Sequence, residues 1–280
     1  MSESKLSKYY RAPKLYVRIP SQGAFNPDIE QSMSEELAVM AMTGRDESMI
    51  KNPDALLNGE AITSVIKSCV PGIMDPKEIP ITDVDTLLIA IKIATNGDEH
   101  EVSAKCPKCN TESKGMVNLR NILPTAKLLE SEYPVKLDTG VTVYMKPYTY
   151  AMQTEAALAA FDETKTLQNL QREKEINSES MAIYNKSFRR MAEMSVSMLS
   201  RSVMKVVTPD GDEVSDPNEI FAFVQNIDSK AAKQMDEVLA KINSLDVDKR
   251  LELTCEQVDC KNVWTTQVEF NASDFFEDGS

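Results

Sequence analysis

Cys106-Pro107-Lys108-Cys109 and Cys255-Glu256-Gln257-Val258-Asp259-Cys260 are the stretches on which the reading of this fold turns. Each pair of cysteines sits on a turn between strand-like runs. Glu101 to Ala104 leads into the first turn and Gly115 to Leu119 leads away. Arg250 to Thr254 enters the second and Trp264 to Phe270 leaves it. Four thiolates at such spacings suit one tetrahedral zinc ion. A shared ion would staple two distant segments into one small ribbon, and whatever lies between them would hang from that staple.

The surrounding chemistry bears on that reading. Pro107 stiffens the first turn, and Lys105, Lys108 and Lys261 flank the thiols with positive charge. The chain is expected in the cytosol where it is made, because Met1 to Lys8 is polar and lacks an apolar signal core. Thiols stay reduced there, which favours metal ligation over disulfides. The C-x₄-C half is looser than the usual C-x₂-C, so two separate buried pairs, or a site without its metal, are competing readings. Cys69, in the apolar run Val65 to Val70, reads as a buried small residue. With four sulfur ligands no coordination position is left for water or substrate, so the expected role is one structural zinc per chain.

No catalytic set accompanies the cysteines. The single histidine, His100, reads as a surface residue at a strand start, and one His removes most acid–base and nucleophilic constellations. Neither a phosphate-cradling nor a dinucleotide-binding glycine motif occurs. The net charge of −13, with no basic cluster, argues against a nucleic-acid partner. No apolar run approaches the ~18 residues that suggest a membrane span. The expectation is a protein without catalytic residues, without nucleic acid and without membrane.

The expected fold class is α+β, mostly helical, with a small β zinc ribbon formed by the two distant Cys pairs and a helical insertion between them. Four regions follow: an extended arm over 1–32, an N-terminal helical region over 33–100, the ribbon over 101–123 and 250–276, and an inserted hairpin and helical region over 124–249. Leu15 to Ile19 alternates like a strand, and Thr43 is placed to cap a helix that ends near Asn52-Pro53. Glu60 to Val70 and Thr82 to Thr95 carry helical apolar spacing, the second broad enough to be central and buried. Tyr133 to Leu137 and Val141 to Met145 read as a hairpin. Helices follow over roughly Tyr148 to Glu175 and Ser180 to Val206. In the latter Met181, Tyr184, Phe188, Met191, Ser195, Met198 and Ser202 recur at alternating steps of three and four, a heptad-like seam. An antiparallel helical hairpin accounts for it most simply. Val203 to Thr208 and Glu213-Val214 flank a hairpin-type turn, and further helices are expected after Asp216-Pro217 and over Ser229 to Ser244.

The segment from Lys14 to Leu123 resembles a known family. Tyr16-Val17-Arg18-Ile19-Pro20-Ser21-Gln22-Gly23 is similar to its N-terminal entry, and Met40 to Glu47 to its strand followed by an acidic helix start. Asn52 to Gly59, Ile62 to Cys69, Ile81 to Ala94 and the C-P-K-C turn continue the likeness. The family is that of the baseplate hub subunit, or hub assembly protein, of T-even-type contractile-tailed phages. The resemblance implies a non-catalytic viral tail protein whose partners are other tail and baseplate hub proteins. It implies residence in the virion, at the tail baseplate, or in the host cytoplasm during assembly, and leaves oligomeric state open. The alternative is a zinc-ribbon adaptor on viral nucleic acid, which the acidic charge disfavours. A metal-dependent hydrolase would need an open metal position.

Overall fold

The computed structural model describes residue 6 and residues 9–26, 36–172 and 178–268. The chain forms two compact units. The first takes Met1–Pro76, Thr82–Leu129 and Leu245–Ser280, and the second takes Lys77–Ile81 and Glu130–Ser244.

The first unit opens with β1 (Pro13–Val17), which pairs antiparallel with β2 (Leu37–Met40). The strand foreseen in the arm is thus already paired within the chain. α1 (Gly44–Ile50) begins at a capping box: Asp46 N donates to Thr43 Oγ1 at 3.3 Å and Thr43 N donates to Asp46 Oδ2 at 2.7 Å. The helix ends close to the expected Asn52-Pro53, and a further short helix, α2 (Pro53–Leu57), begins directly after it. Asn52 caps it, and Pro53 occupies a first-turn position where its missing N–H costs nothing. α3 (Glu60–Cys69) buries Ala61, Ile62, Val65, Ile66 and Cys69 along one face. α4 (Ile81–Asn96) is buried on nearly every side from Thr82 to Ala94, as its broad apolar surface predicts, and it is the centre of this unit. Gly97, at φ 98°, closes it in the left-handed region.

Two polar anchors tie the N-terminal segment to these helices. Arg11 donates to Ala41 O at 2.6 Å and to Ser68 Oγ at 2.7 Å, with Asp46 at 3.5 Å. Ser21 donates to the buried carboxylate of Asp83 through its N–H at 2.8 Å and its hydroxyl at 2.5 Å. Burial pushes the Asp83 carboxyl up to about 7, against the pull of Ser21. The unit is completed by β3 (Glu99–Lys105), β4 (Glu112–Asn118), the single turn α5 (Leu119–Ile122), and the last two strands, β9 (Arg250–Thr254) and β10 (Val263–Gln267).

The second unit is built on a four-stranded antiparallel sheet in the order β5 (Tyr133–Lys136), β6 (Thr142–Met145), β7 (Val203–Val207), β8 (Glu213–Val214). Between the neighbouring strands β6 and β7 the chain leaves the sheet as a helical hairpin, α6 (Tyr150–Arg172) and α7 (Ser178–Arg201). Arg190 of α7 pairs with the buried Glu163 of α6 at 3.2 Å. α8 (Pro217–Asn226) and α9 (Ser229–Asn243) start at Asp216 and Asp228, each carboxylate accepting two backbone N–H groups. Val143, Met145, Ile220, Met235 and Leu239 are among its buried apolar side chains.

Two expectations about fold class are corrected. The chain is not mostly helical: helix takes 46% of the described residues and strand 21%. The helix expected to reach Val206 stops at Arg201, because Val203, Val206 and Val207 are β-branched residues that complete a sheet with β6. Nor do the cysteine-bearing strands form one ribbon. β3–β4 and β9–β10 are separate two-stranded sheets with no ladder between them. Their contact is made by side chains, since Gly115 leaves room for Leu253 to lie against β4. The outer parts of the arm, the end of the first long helix near Glu175, and the acidic tail with Phe275 and Phe276 lie outside the described residues.

Candidate metal centre

Each cysteine pair is held by the turn at the tip of its hairpin. Cys106 N donates to Thr111 O at 2.9 Å, and Cys255 N donates to Asn262 O at 2.8 Å. Both turns reverse through a left-handed residue directly after the second cysteine, Asn110 at φ 62° and Lys261 at φ 44°. Asn adopts that conformation readily, whereas Lys rarely does. The two knuckles are therefore built alike, although one spans C-x₂-C and the other C-x₄-C.

Side chains fasten one knuckle to the other. Lys114 N donates to Glu256 Oε1 at 3.0 Å, and Glu256 N donates to Ser113 Oγ at 3.2 Å. Thr111 Oγ1 donates to Gln257 Oε1 at 2.7 Å. These contacts bring all four sulfurs within 4.8 Å of one another. Cys106 Sγ lies 3.9 Å from Cys260 Sγ, and Cys109 Sγ 3.4 Å from Cys255 Sγ. A tetrahedral ion with metal–sulfur bonds of ~2.3 Å separates its ligands by ~3.8 Å. The four cysteines are thus brought together, each pairing across the knuckles, at separations compatible with a shared ion.

The thiols of the set do not ionise alike. The hydrogen bond between Cys109 and the Thr111 side chain, and then the Thr111 backbone N–H, draw the Cys109 thiol down to about 6. Burial opposes ionisation of Cys106, but the backbone N–H groups of Lys108 and Cys109 help carry the balance and its pKa falls. The backbone N–H of Asn262 supports a Cys260 thiolate, yet burial and the neighbouring thiols prevail and push it up to about 11. Sulfurs this close cannot all be charged without a positive ion between them. Lys105, Lys108 and Lys261 are exposed beside the cluster.

Three supporting residues were not foreseen. Asn262 Nδ2 lies 3.7 Å from Cys106 Sγ, Thr111 accepts from Cys109 Sγ at 3.3 Å, and Gln257 receives Thr111. Asn262 and Thr111 each stand two residues beyond the second cysteine of a pair, and that shared offset was the available signal. His100 is absent from the cluster. It is half-buried in β3 opposite Val117, and burial, then the charge of Lys92, lowers its pKa.

The described residues form a two-unit α+β chain with four clustered thiols, and comparison gives its class as a phage tail component. The family model described as T4 bacteriophage base plate protein matches residues 27–277, and the chain belongs to that family. No curated protein and no solved structure matches it. The match runs through the helical hairpin and the four-stranded sheet, well past the Lys14–Leu123 segment that carries the sequence resemblance. Membership places the chain in the virion tail, among other tail proteins. Among the described residues no helix is long and apolar enough to cross a membrane.

Proposed function

We propose that this chain is a structural or assembly protein of the baseplate hub, working through protein–protein contacts, and that one zinc ion held by Cys106, Cys109, Cys255 and Cys260 stiffens its first unit. The single observation that carries the metal is the convergence of four sulfurs from two distant segments to within 4.8 Å. The hub, rather than another part of the baseplate, is supported by the likeness of the N-terminal motifs to the hub family.

The division of labour follows from chemistry. Bound zinc would supply a permanent cross-link between hairpins that share no backbone ladder. Cys106 and Cys109 would hold it from one hairpin, Cys255 and Cys260 from the other. Thr111 and Asn262 orient sulfurs through hydrogen bonds, as supporting groups around metal ligands do. Ser113, Glu256 and Lys114 set the two turns at the right separation. With four protein sulfurs the site has no vacancy for substrate, so the work assigned to it is mechanical.

Affinity capture from infected cells, with co-purifying proteins identified by mass spectrometry, tests the hub assignment. Recovery of central hub proteins is expected. Recovery of peripheral baseplate proteins alone would place the chain elsewhere. Elemental analysis of protein purified without chelator tests the metal independently, and one zinc per chain is expected.

A further inference from the structure

The helical hairpin of the second unit carries an apolar stripe that stays exposed among the described residues. On α7, Met181 is 51% exposed, Tyr184 44%, Phe188 55% and Met191 51%. These residues occupy successive positions of the three–four heptad spacing, so they share one face of the helix. The Tyr184 and Phe188 rings meet edge to face at 4.8 Å, which places them on that face together. A different face of α7 meets α6: Ser187 is buried, and Arg190 reaches Glu163. The stripe is therefore not the seam of the hairpin itself.

We infer that this stripe is a self-association surface, on which α7 of a second copy of the chain packs as in a coiled coil. Two observations favour a second copy over a different partner. The first is charge. With Met181, Tyr184, Phe188 and Met191 at the core positions, the flanking positions of the heptad are Asn185 and Ala192 on one side and, on the side that turns toward α6, the buried Ser187 and the half-buried Met194. None is charged, so no repulsion opposes like pairing and no charge selects an unlike partner. The ionisable Lys186, Arg189, Arg190 and Glu193 all fall on outer positions.

The second observation is area. About half of each side chain of ~150–250 Å² is exposed, which gives roughly 400 Å² of stripe per copy. That is within the range of the largest apolar patch that a typical monomer shows, commonly a functional one. Two copies would cover about 800 Å² from the stripe alone. The exposed Asn185 and Ala192 beside it add to that area, toward the ~1,200 Å² at which specific interfaces begin. Beyond Met191 the spacing continues through the exposed Ser195 to the half-buried Met198 and the buried Ser202, so the contact is confined to the half of α7 away from the sheet.

This inference rests on neither the hub assignment nor the metal. Sedimentation of the full chain, over about 1 to 200 μM, tests it. A concentration-dependent dimer or higher oligomer is expected. Phe188→Asp combined with Met191→Ser should weaken association about tenfold or more. Both residues are exposed, so the circular dichroism and thiol content of the variant should stay those of the parent. A monomer throughout the range overturns the proposal, and so does an oligomer that the double variant leaves unchanged. Hydrogen exchange of the unaltered protein gives a reading that needs no variant. Amides of 181–195 should exchange more slowly at high concentration, and equal rates at both concentrations overturn self-association through α7.

Discussion

A Cβ added to Gly115 would lie 2.2 Å from Leu253 Cδ2. Gly115 stands in β4 and Leu253 in β9, so the packing of one cysteine hairpin on the other depends on a missing side chain. Gly115→Ala should destabilise the first unit by about 1–3 kcal/mol through overpacking. The same change in a Leu253→Ala background should cost less, because the obstructing methyl is gone. Urea denaturation of the four members of this cycle gives the coupling. Strictly additive losses would mean that the two residues do not meet.

Removal of metal should act on the same contact. Cys106→Ser and Cys255→Ser are each expected to release zinc and lower the thermal midpoint, since either leaves three sulfurs at a site built from four. A chelator should lower the midpoint of the parent protein and leave both variants unmoved. Asn262→Ala should retain zinc with weaker affinity, by about 10–100-fold, as expected for a group that supports a ligand. A midpoint indifferent to chelator and to both cysteine substitutions removes the clasp.

What could be read in advance divides along physical lines. The cysteine turns, α3 and the start of α1 were legible because their signals are local: thiol spacing, apolar periodicity and a Thr43–Asp46 cap. In the second unit the hairpins β5–β6 and β7–β8 were legible as well, but the joining of β6 to β7 was not. β6 and β7 are neighbours in space, but two long helices separate them in sequence, and each strand is only four or five residues. A short strand does not reveal its partner. The joining of the hairpins through Leu253 and Glu256 was hidden for the same reason. Meanwhile α2 was missed because Asn52-Pro53 serves equally as the end of one helix and the cap of the next.

Asp83 makes the first unit sensitive to pH in an unusual direction. Burial raises its folded pKa from 3.8 to about 7, so the protonated acid is the form the fold prefers. Its contribution to stability is fully present below the unfolded value and is lost as pH rises toward 7. Asp83→Asn mimics the neutral acid and should flatten this part of the stability profile between about pH 4 and 7. Denaturation across that range measures it. An unchanged slope in the Asn variant would show that Asp83 titrates normally.

Lys249 sits between Asp85 and Asp246, in ion pairs with both, the latter at 2.6 Å. Burial raises the Asp85 carboxyl to about 6, and Lys249 restrains the rise. Lys249→Met leaves two close carboxylates without that cation and should cost about 3–5 kcal/mol at neutral pH. The loss should shrink toward pH 4, where protonation relieves the repulsion. A loss independent of pH would assign the effect to lost packing of the Lys249 stem instead.

Arg11 fixes the N-terminal segment through geometry as much as charge. One guanidinium nitrogen donates to Ala41 O at 2.6 Å, and the other donates to Ser68 O at 2.5 Å and Ser68 Oγ at 2.7 Å. Ser68 Oγ in turn donates to Asp46 Oδ2 at 3.0 Å, which links the arm to the cap of α1. A lysine carries the same charge but cannot span both carbonyls with a planar fork. Arg11→Lys should therefore lose nearly as much stability as Arg11→Ala, about 1–3 kcal/mol, since both leave acceptors unpaired. Limited proteolysis should cut either variant faster between Tyr9 and Val17, because β1 is held to β2 beside this anchor. Full stability in the Lys variant alone would reduce the role of Arg11 to its charge beside Asp46.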